Sequence, residues 1–256
     1  MIDVICDLDG VIYRGNTAIP GAKAGLELLA TEGARICFVT NNSTRTPAEV
    51  ASKIRDVVGV GVDPDRVVTS SQAAVGMLEP DDDPVLVVGE GGILDALSRA
   101  GFTVTVDPGE ARSVMVGLYR DLTYETLEGA SSAIRGGARF VATNTDPTFP
   151  IQGGLKPGAG SIVAAIATAS QCDPEIAGKP HTPMRAIVRQ KVGAQPWVVG
   201  DRVDTDIAMA SLEAGWRSIL VLSGVTSTAD EGDSADFVVE DFEAAAELVL
   251  ASEAEQ

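Results

Sequence analysis

Asp7 and Asp9 stand two residues apart where the run Ile2-Asp3-Val4-Ile5-Cys6 breaks into Asp7-Leu8-Asp9-Gly10. Residues at i and i+2 of a strand point to the same side, so both carboxylates can face one small volume as the chain leaves a sheet. Two like charges held that close are costly unless a cation sits between them or one keeps its proton. A cation-assisted reaction on an anion is one reading of the pair. An ordinary strand end with a polar turn is the other, and the ends of later strands decide between them.

In an open α/β sheet the site lies outside the carboxyl ends of the strands. The strand expected over 35–39 ends in Thr40, Asn41, Asn42 and Ser43, which offer a hydroxyl, amides and backbone N–H groups suited to anionic oxygens. The strand expected over 197–199 delivers Gly200, Asp201 and Arg202, then Asp204 and Asp206. Lys179 sits in the turn Gly178-Lys179-Pro180, where proline blocks a helix and pins the lysine near a strand end. The chain has only five lysines, so one lodged in such a turn is hard to dismiss as solubilising surface.

This inventory suits Mg²⁺-assisted phosphoryl transfer. Mg²⁺ takes oxygen ligands in octahedral geometry, uses one or two carboxylates and binds substrate phosphate, a demand that Asp7 and Asp201 meet. A carboxylate can also attack phosphorus and split one difficult step into two. Thr40, Asn41 and Lys179 would cradle the oxygens over which charge spreads.

Alternating strands and helices must bring these groups together. Residues 20–32 read as a helix stopped by Gly33, and Thr46-Pro47-Ala48-Glu49 opens another, with a capping box, that runs to about Val58. A short strand follows at Val67 and Val68, and then Glu79-Pro80-Asp81-Asp82-Asp83-Pro84 interrupts packed structure. Beyond it the alternation restarts, with strands over 85–88, 103–106, 113–116 and 139–142 and helices over 93–100, 123–135 and 159–169. A second polar break falls at Asp173 and Pro174. The last part resumes at Gly178, with helices over 183–191 and 203–214, strands over 197–199, 218–221 and 237–239, and a helix from 242 to about 250. The polar tail 252–256 is expected to fray. The alternation predicts parallel strands with right-handed crossovers, and the segment between the two breaks reads as an insert with its own sheet.

Composition excludes several function classes. A net charge of −18 gains nothing from nucleic acid or an anionic membrane surface, and an aromatic content of 4% leaves little for stacking on bases. Cys6, Cys37 and Cys172 have no metal-like spacing, and the first two lie in apolar runs where a thiol behaves as a small hydrophobe. The chain opens on a strand rather than on a basic and apolar leader, and no apolar run reaches the ~20 residues of a spanning helix. A cytoplasmic enzyme or binding protein is the expectation.

The motifs Asp7-Leu8-Asp9-Gly10, Thr40-Asn41-Asn42-Ser43, Gly178-Lys179-Pro180 and Gly200-Asp201-Arg202-Val203-Asp204-Thr205-Asp206 resemble, in this order, the four motifs of the haloacid dehalogenase superfamily. The resemblance is closest to its branch of p-nitrophenylphosphatases, phosphoglycolate phosphatases and NagD-like proteins. In the insert, Gly117 to Asp121, Thr143 to Pro147 and Leu155 to Ser161 are similar to cap segments of that branch. The resemblance implies an α/β fold: a Rossmann-like parallel-sheet core from residues 1–79 and 178–256, with residues 80–177 as an inserted α/β cap. It implies Asp7 as nucleophile and Mg²⁺ ligand. Asp9 would bind the metal through its backbone carbonyl, while its side chain acts as general acid and then general base. Thr40 and Asn41, with Asn42 nearby, would hold the phosphoryl group. Lys179 would neutralise nucleophile and phosphate, Asp201 would complete the metal site, and Asp206 would hold a metal-bound water or Lys179. The expected partner is a small phosphorylated metabolite, and a homodimer through the cap is implied by the resemblance alone. Two rival readings share these motifs: a phosphotransferase using the same intermediate, and a phosphate-binding module without turnover.

Four features invite other readings. Val88-Gly89-Glu90-Gly91-Gly92 follows a strand and opens a helix, but Leu94 falls where the dinucleotide fingerprint needs its last glycine, which leaves a tight turn. The segment from Gly153 to Ser161 either presents helix N–H groups to a substrate anion or simply starts a helix. His181, the only histidine, reads as a helix-start residue. Asn144 and Asp146 either touch substrate from the cap or form an Asx turn before Pro147.

Overall fold

The computed structural model describes residues 1–151, 154–226, 228 and 235–254. The first part holds β1 (Asp3–Cys6), a small hairpin of β2 (Tyr13–Arg14) and β3 (Thr17–Ala18), α1 (Ala22–Thr31), β4 (Arg35–Thr40), α2 (Pro47–Val58), β5 (Val67–Thr69) and α3 (Ser70–Val75). The middle part holds β6 (Val85–Val88), α4 (Gly91–Ala100), β7 (Val104–Thr105), β8 (Ser113–Val116), α5 (Tyr124–Arg135), β9 (Arg139–Ala142), a hairpin of β10 (Thr148–Ile151) and β11 (Gly154–Pro157), α6 (Ala159–Ser170) and β12 (Glu175–Ile176). The last part holds α7 (Thr182–Arg189), β13 (Trp197–Gly200), a π-helical turn (Val203–Ile207), α8 (Ala208–Ser211), β14 (Arg217–Val221), β15 (Phe237–Val239) and α9 (Phe242–Ala254).

Two larger sheets result. One has the order β15-β14-β13-β1-β4-β5 and the other β12-β9-β8-β6-β7. Every pairing in both is parallel, so the α/β class and the alternation expected from the sequence are observed. β1, apolar after Asp3, and β13 are wholly buried because helices cover both faces of a parallel sheet. On one side Val4, Cys6 and Phe38 pack against Leu26 and Leu29 of α1, Val50 and Ile54 of α2, and Phe242 of α9. On the other, Ile5, Val39 and Val68 share one apolar cluster with Val85, Met115 and Val141 of the second sheet and with Ile93 and Leu97 of α4. The two sheets are joined by packing as well as by chain. α2 begins as its sequence predicts: the Glu49 N–H donates to Thr46 Oγ1 at 3.2 Å and the Thr46 N–H to Glu49 Oε2 at 2.8 Å.

The structure departs from the sequence reading in a few places. The two hairpins are too short and too exposed to show apolar alternation, as β11 illustrates with four exposed residues. The helix expected over 203–214 is instead a π-helical turn followed by one turn of α8. The tail expected to fray continues α9 to Ala254, because Glu253 accepts from Trp197 Nε1 at 3.1 Å and pairs with Arg217; residues 255 and 256 lie outside the described residues. All three cysteines are free. Among the described residues, no helix is long and apolar enough to cross a membrane.

Candidate active site

β1 ends at Cys6 between β13 and β4, so the residues just past these three strands meet. Asp7 follows β1, its N–H donating to Val199 O at 2.9 Å. Thr40 closes β4 and Asn41 follows it, while Gly200 closes β13 and Asp201 follows it. Lys179 arrives from the second sheet, two residues after Ala177, whose N–H donates to Ala142 O at 3.0 Å. Asp7, Thr40, Asn41, Lys179, Asp201 and Asp206 are all buried.

The Lys179 ammonium is the hub. It donates to an oxygen of Asp7, to Asp206 Oδ1 at 2.6 Å and to Val39 O at 3.1 Å. Burial works against its charge, but Asp206 and Asp7 outweigh that and hold its pKa above the ordinary lysine value. Asp206 is fixed from its other oxygen by the Arg202 N–H and the Thr205 hydroxyl, each at 3.3 Å. The π-helical turn carries out this placement: it swings the Asp206 side chain back toward β13, where a Cβ on Gly200 would meet Asp206 Cβ at 2.1 Å. Wider helical turns of this kind recur at functional sites.

Asp201 is held differently. Its Oδ2 accepts the Val225 N–H at 2.6 Å, while its buried Oδ1 has no hydrogen-bond partner among the described residues. Gly10 explains the glycine of the first motif: its φ is +101°, and a Cβ there would lie 2.2 Å from Asp201 Oδ2. No other residue type fits that backbone or that gap.

Carboxylate oxygens of Asp7, Asp201 and Asp206 lie within 4.8 Å of one another. With all three ionised, the single Lys179 charge leaves the group two charges short of neutrality. The orphaned Asp201 oxygen, the all-oxygen donor set and the charge deficit each fit a divalent cation. Burial, reinforced by Asp206, pushes Asp201 up to about 7, and burial also raises Asp7 despite the opposing Lys179 ammonium.

Asp9 is half-buried at the same cleft. Burial raises its pKa, and Lys53, Lys179 and Arg45 pull it back. Lys53 Nζ stands 3.9 Å from Asp9 Oδ1 and 3.5 Å from the centroid of the Tyr13 ring. Asn42 lines the cleft too, but its Oδ1 accepts the N–H and hydroxyl of Thr44 at 2.9 and 2.7 Å, which shapes the loop. Sequence reasoning missed Lys53 and Arg45. For Lys53 a signal existed: it is one of the five lysines and stands on α2 between the buried Val50 and Ile54. Arg45 carried none.

The cleft has about 250 Å³ of free space and is lined on one side by Leu118, Arg120 and Asp146 from the loops after β8 and β9 and by Phe149 and Ile151 of β10. The four competing features fall into place. The turn at Gly89 to Gly92 starts α4, and its Glu90 pairs with Arg120 at 2.7 Å. At the start of α6 the N–H groups of Gly158 and Gly160 donate to Pro147 O and Asp146 O, while Gly158 and Ala159 line the cleft; Gly153 lies outside the described residues. His181 is the residue before the first turn of α7. Asn144 Oδ1 accepts the Asp146 N–H at 3.1 Å, the Asx turn, while the Asp146 side chain faces the cleft.

Family models described as haloacid dehalogenase-like hydrolase and HAD-hydrolase-like match residues 4–103 and 176–245. The chain is 34% identical over 234 residues to a dihydroxyacetone phosphatase of Corynebacterium glutamicum, covering 90% of this chain and 84% of the relative. It is 34% identical over 231 residues to an acid sugar phosphatase of Staphylococcus aureus, covering 88% of each. The crystal structure of a glycerol phosphate phosphatase from Mycobacterium tuberculosis, in complex with magnesium, superposes with a TM-score of 0.83 at 35% identity, over 94% of this chain and 74% of that one.

Proposed function

Because the chain belongs to the haloacid dehalogenase-like hydrolases and is a phosphatase, we propose that it hydrolyses small phosphomonoesters with Mg²⁺ through an aspartyl-phosphate on Asp7. The observation that carries this reading is the meeting of Asp7, Lys179, Asp201 and Asp206 at the ends of three adjacent strands. Asp7, Asp201 and the backbone carbonyl of Asp9 would hold the cation, with Asp206 behind them. When bound, Mg²⁺ supplies charge to the phosphoryl oxygens.

The chain's own groups do the rest. An Asp7 oxygen forms a bond to phosphorus as the bond from phosphorus to the leaving oxygen breaks, and Asp9 delivers its proton to that oxygen. The raised pKa of Asp9 suits a group that must hold a proton near neutrality. Water then attacks phosphorus, Asp9 takes its proton, and the bond between Asp7 and phosphorus breaks to release inorganic phosphate. Thr40 and the backbone after it face the phosphoryl oxygens, and Lys179 balances the charge of Asp7. Residues 80–177 act as a cap whose cleft-facing residues choose the leaving group. A cleft of about 250 Å³ suits a small metabolite, and the names of the relatives point to phosphorylated sugars and polyols as the first class to try.

The test is a panel of phosphate esters incubated with Mg²⁺ and scored by released inorganic phosphate and by free alcohol. Turnover of sugar and polyol phosphates is expected. Transfer of phosphate to an added alcohol with little inorganic phosphate would make the chain a phosphotransferase, and binding without turnover would make it a silent module.

The cation carries its own prediction. An unfolded aspartate titrates near about 4, whereas Asp201 in the fold holds its proton up to about 7. The folded form therefore binds the extra proton, and this group costs stability as pH rises from the lower value through the higher. A cation bound to the ionised carboxylates offsets that cost, by about 2.7 kcal/mol at a concentration one hundred times Kd. Magnesium should raise the unfolding temperature clearly at pH 8 and much less at pH 5. Equal shifts at both pH values would argue against this site.

A further inference from the structure

Asn41 carries a resemblance-based assignment to the phosphoryl group, yet its side-chain amide is committed elsewhere. Its Oδ1 accepts the Lys179 N–H at 2.7 Å, and its Nδ2 donates to Lys179 O at 3.3 Å. The same Nδ2 lies 3.2 Å from each carboxylate oxygen of Asp146. An amide has two hydrogens to give, and both are used. Asn41 thus grips the backbone of Lys179 by its N–H and its C=O together, and the ammonium of that residue bridges Asp7 and Asp206.

The carboxylate of Asp146 and the backbone of Lys179 favour the same orientation of the amide, and Asp146 holds it from the far side. Flipped, Asn41 would set its oxygen against both the Asp146 carboxylate and Lys179 O, and its NH₂ against the Lys179 N–H, so that each of these attractive contacts becomes repulsive. Asp146 belongs to the loop after β9 in the second sheet, and that loop makes two more contacts with the same place. Thr143 O accepts the Gly178 N–H at 2.8 Å, and Asn144 Nδ2 donates to Asn41 O at 2.6 Å. The loops meet closely: a Cβ on Gly178 would lie 2.5 Å from Asn41 Oδ1 and 2.6 Å from Thr143 O.

We propose that Asp146 is a positioning residue: by anchoring the Asn41 amide it holds the backbone of Lys179, and so its ammonium, against Asp7. The inference rests on the reading of Asp7 as the attacking group and Lys179 as its counter-charge. On this view the second sheet contributes to turnover even of a substrate whose leaving group never touches it, and Asn41 serves the phosphoryl group through its backbone rather than its amide.

The test compares wild type, Asp146→Asn, Asn41→Asp and the exchanged pair Asn41→Asp/Asp146→Asn, with p-nitrophenyl phosphate and saturating Mg²⁺, each shown to be folded by thermal unfolding. Asp146→Asn removes the charge that anchors the amide while keeping the volume. Its kcat should fall about tenfold or more with KM within about twofold, the size of effect that misplaced catalytic groups produce. Asn41→Asp sets two carboxylates face to face and should lose at least as much. The exchanged pair restores a donor opposite an acceptor between the two side chains at unchanged total charge but gives nothing to Lys179 O, so it should recover part of the kcat lost in Asn41→Asp. Three results overturn the proposal: an unchanged kcat in Asp146→Asn, a loss confined to KM, or an exchanged pair no better than Asn41→Asp. A kcat loss that merely tracks unfolding at the assay temperature also overturns it. If wild type itself releases no phosphate, the underlying reading fails instead, so the two failures are distinct.

Discussion

Replacing Asp7 with Asn abolishes phosphate release while the protein keeps its fold. The amide has the volume and most of the polarity of the carboxylate but no charge with which to attack phosphorus, so a loss of at least about 10⁴-fold in kcat is expected for a removed nucleophile. Stability should move little, and upward if at all. Asp7 is a buried carboxyl whose pKa burial raises, and it shares its surroundings with Asp201 and Asp206. A neutral group there relieves like-charge repulsion, and Lys179 keeps its bond to Asp206 at 2.6 Å. Phosphate release measured beside a thermal melt separates the outcomes. A folded variant with wild-type rates refutes Asp7 as nucleophile, and loss of both fold and activity would make the residue structural.

Much of this site is legible in the sequence because its parts are local. A strand that ends in two alternating acids, a strand that ends in hydroxyl and amide residues, and a lysine pinned by proline are each short-range patterns, and a parallel sheet supplies the rule for where they go. The capping box at Thr46 and Glu49 is legible for the same reason. What sequence reasoning missed is set by contacts between distant segments. Lys53 reaches Asp9 only because α2 packs against the hairpin that follows β1, and the Asn41 amide is held by Asp146, 105 residues away. The π-helical turn at Val203–Ile207 follows from a carboxylate drawn back toward β13 and Lys179, which no helical periodicity reveals. The hairpins fail for a plainer reason: their residues are exposed or too few to alternate.

The charge distribution also gains meaning only in three dimensions. A chain with a net charge of −18 has a surface that repels anions at long range. Yet Arg45, Lys53, Arg120, Lys179 and Arg202 all line one cleft. Four of the five are drawn toward acids of the chain: Lys53 toward Asp9, Arg120 to Glu90, Lys179 to Asp7 and Asp206, and Arg202 to Asp204 at 2.6 Å. The cleft therefore gathers basic side chains on a surface of opposite charge and balances them locally with Asp7, Asp9, Asp146 and Asp206.

Lys179→Met has the largest expected effect on stability. The ammonium is 5% exposed and is the one cation that hydrogen-bonds into the cluster of Asp7 and Asp206 among the described residues. Methionine replaces its volume but leaves buried carboxylates without their partner, and breaking a buried ion pair on one side costs about 3–5 kcal/mol. The loss should depend on pH. Burial already raises the folded-state pKa of Asp7 against the pull of Lys179, and without the ammonium it rises further above the unfolded value of about 4, so stability falls as pH climbs from there through the raised value. The variant should be close to wild type near pH 5, where the cluster can take up protons, and several kcal/mol weaker at pH 8. Magnesium should return part of that difference, because it supplies positive charge to the same oxygens, but no turnover, because nothing then balances Asp7 from the side of Asn41. Denaturant unfolding at the two pH values, with and without magnesium, reads all of this at once. A variant as stable as wild type at pH 8 would mean that the ammonium is not what holds these carboxylates together.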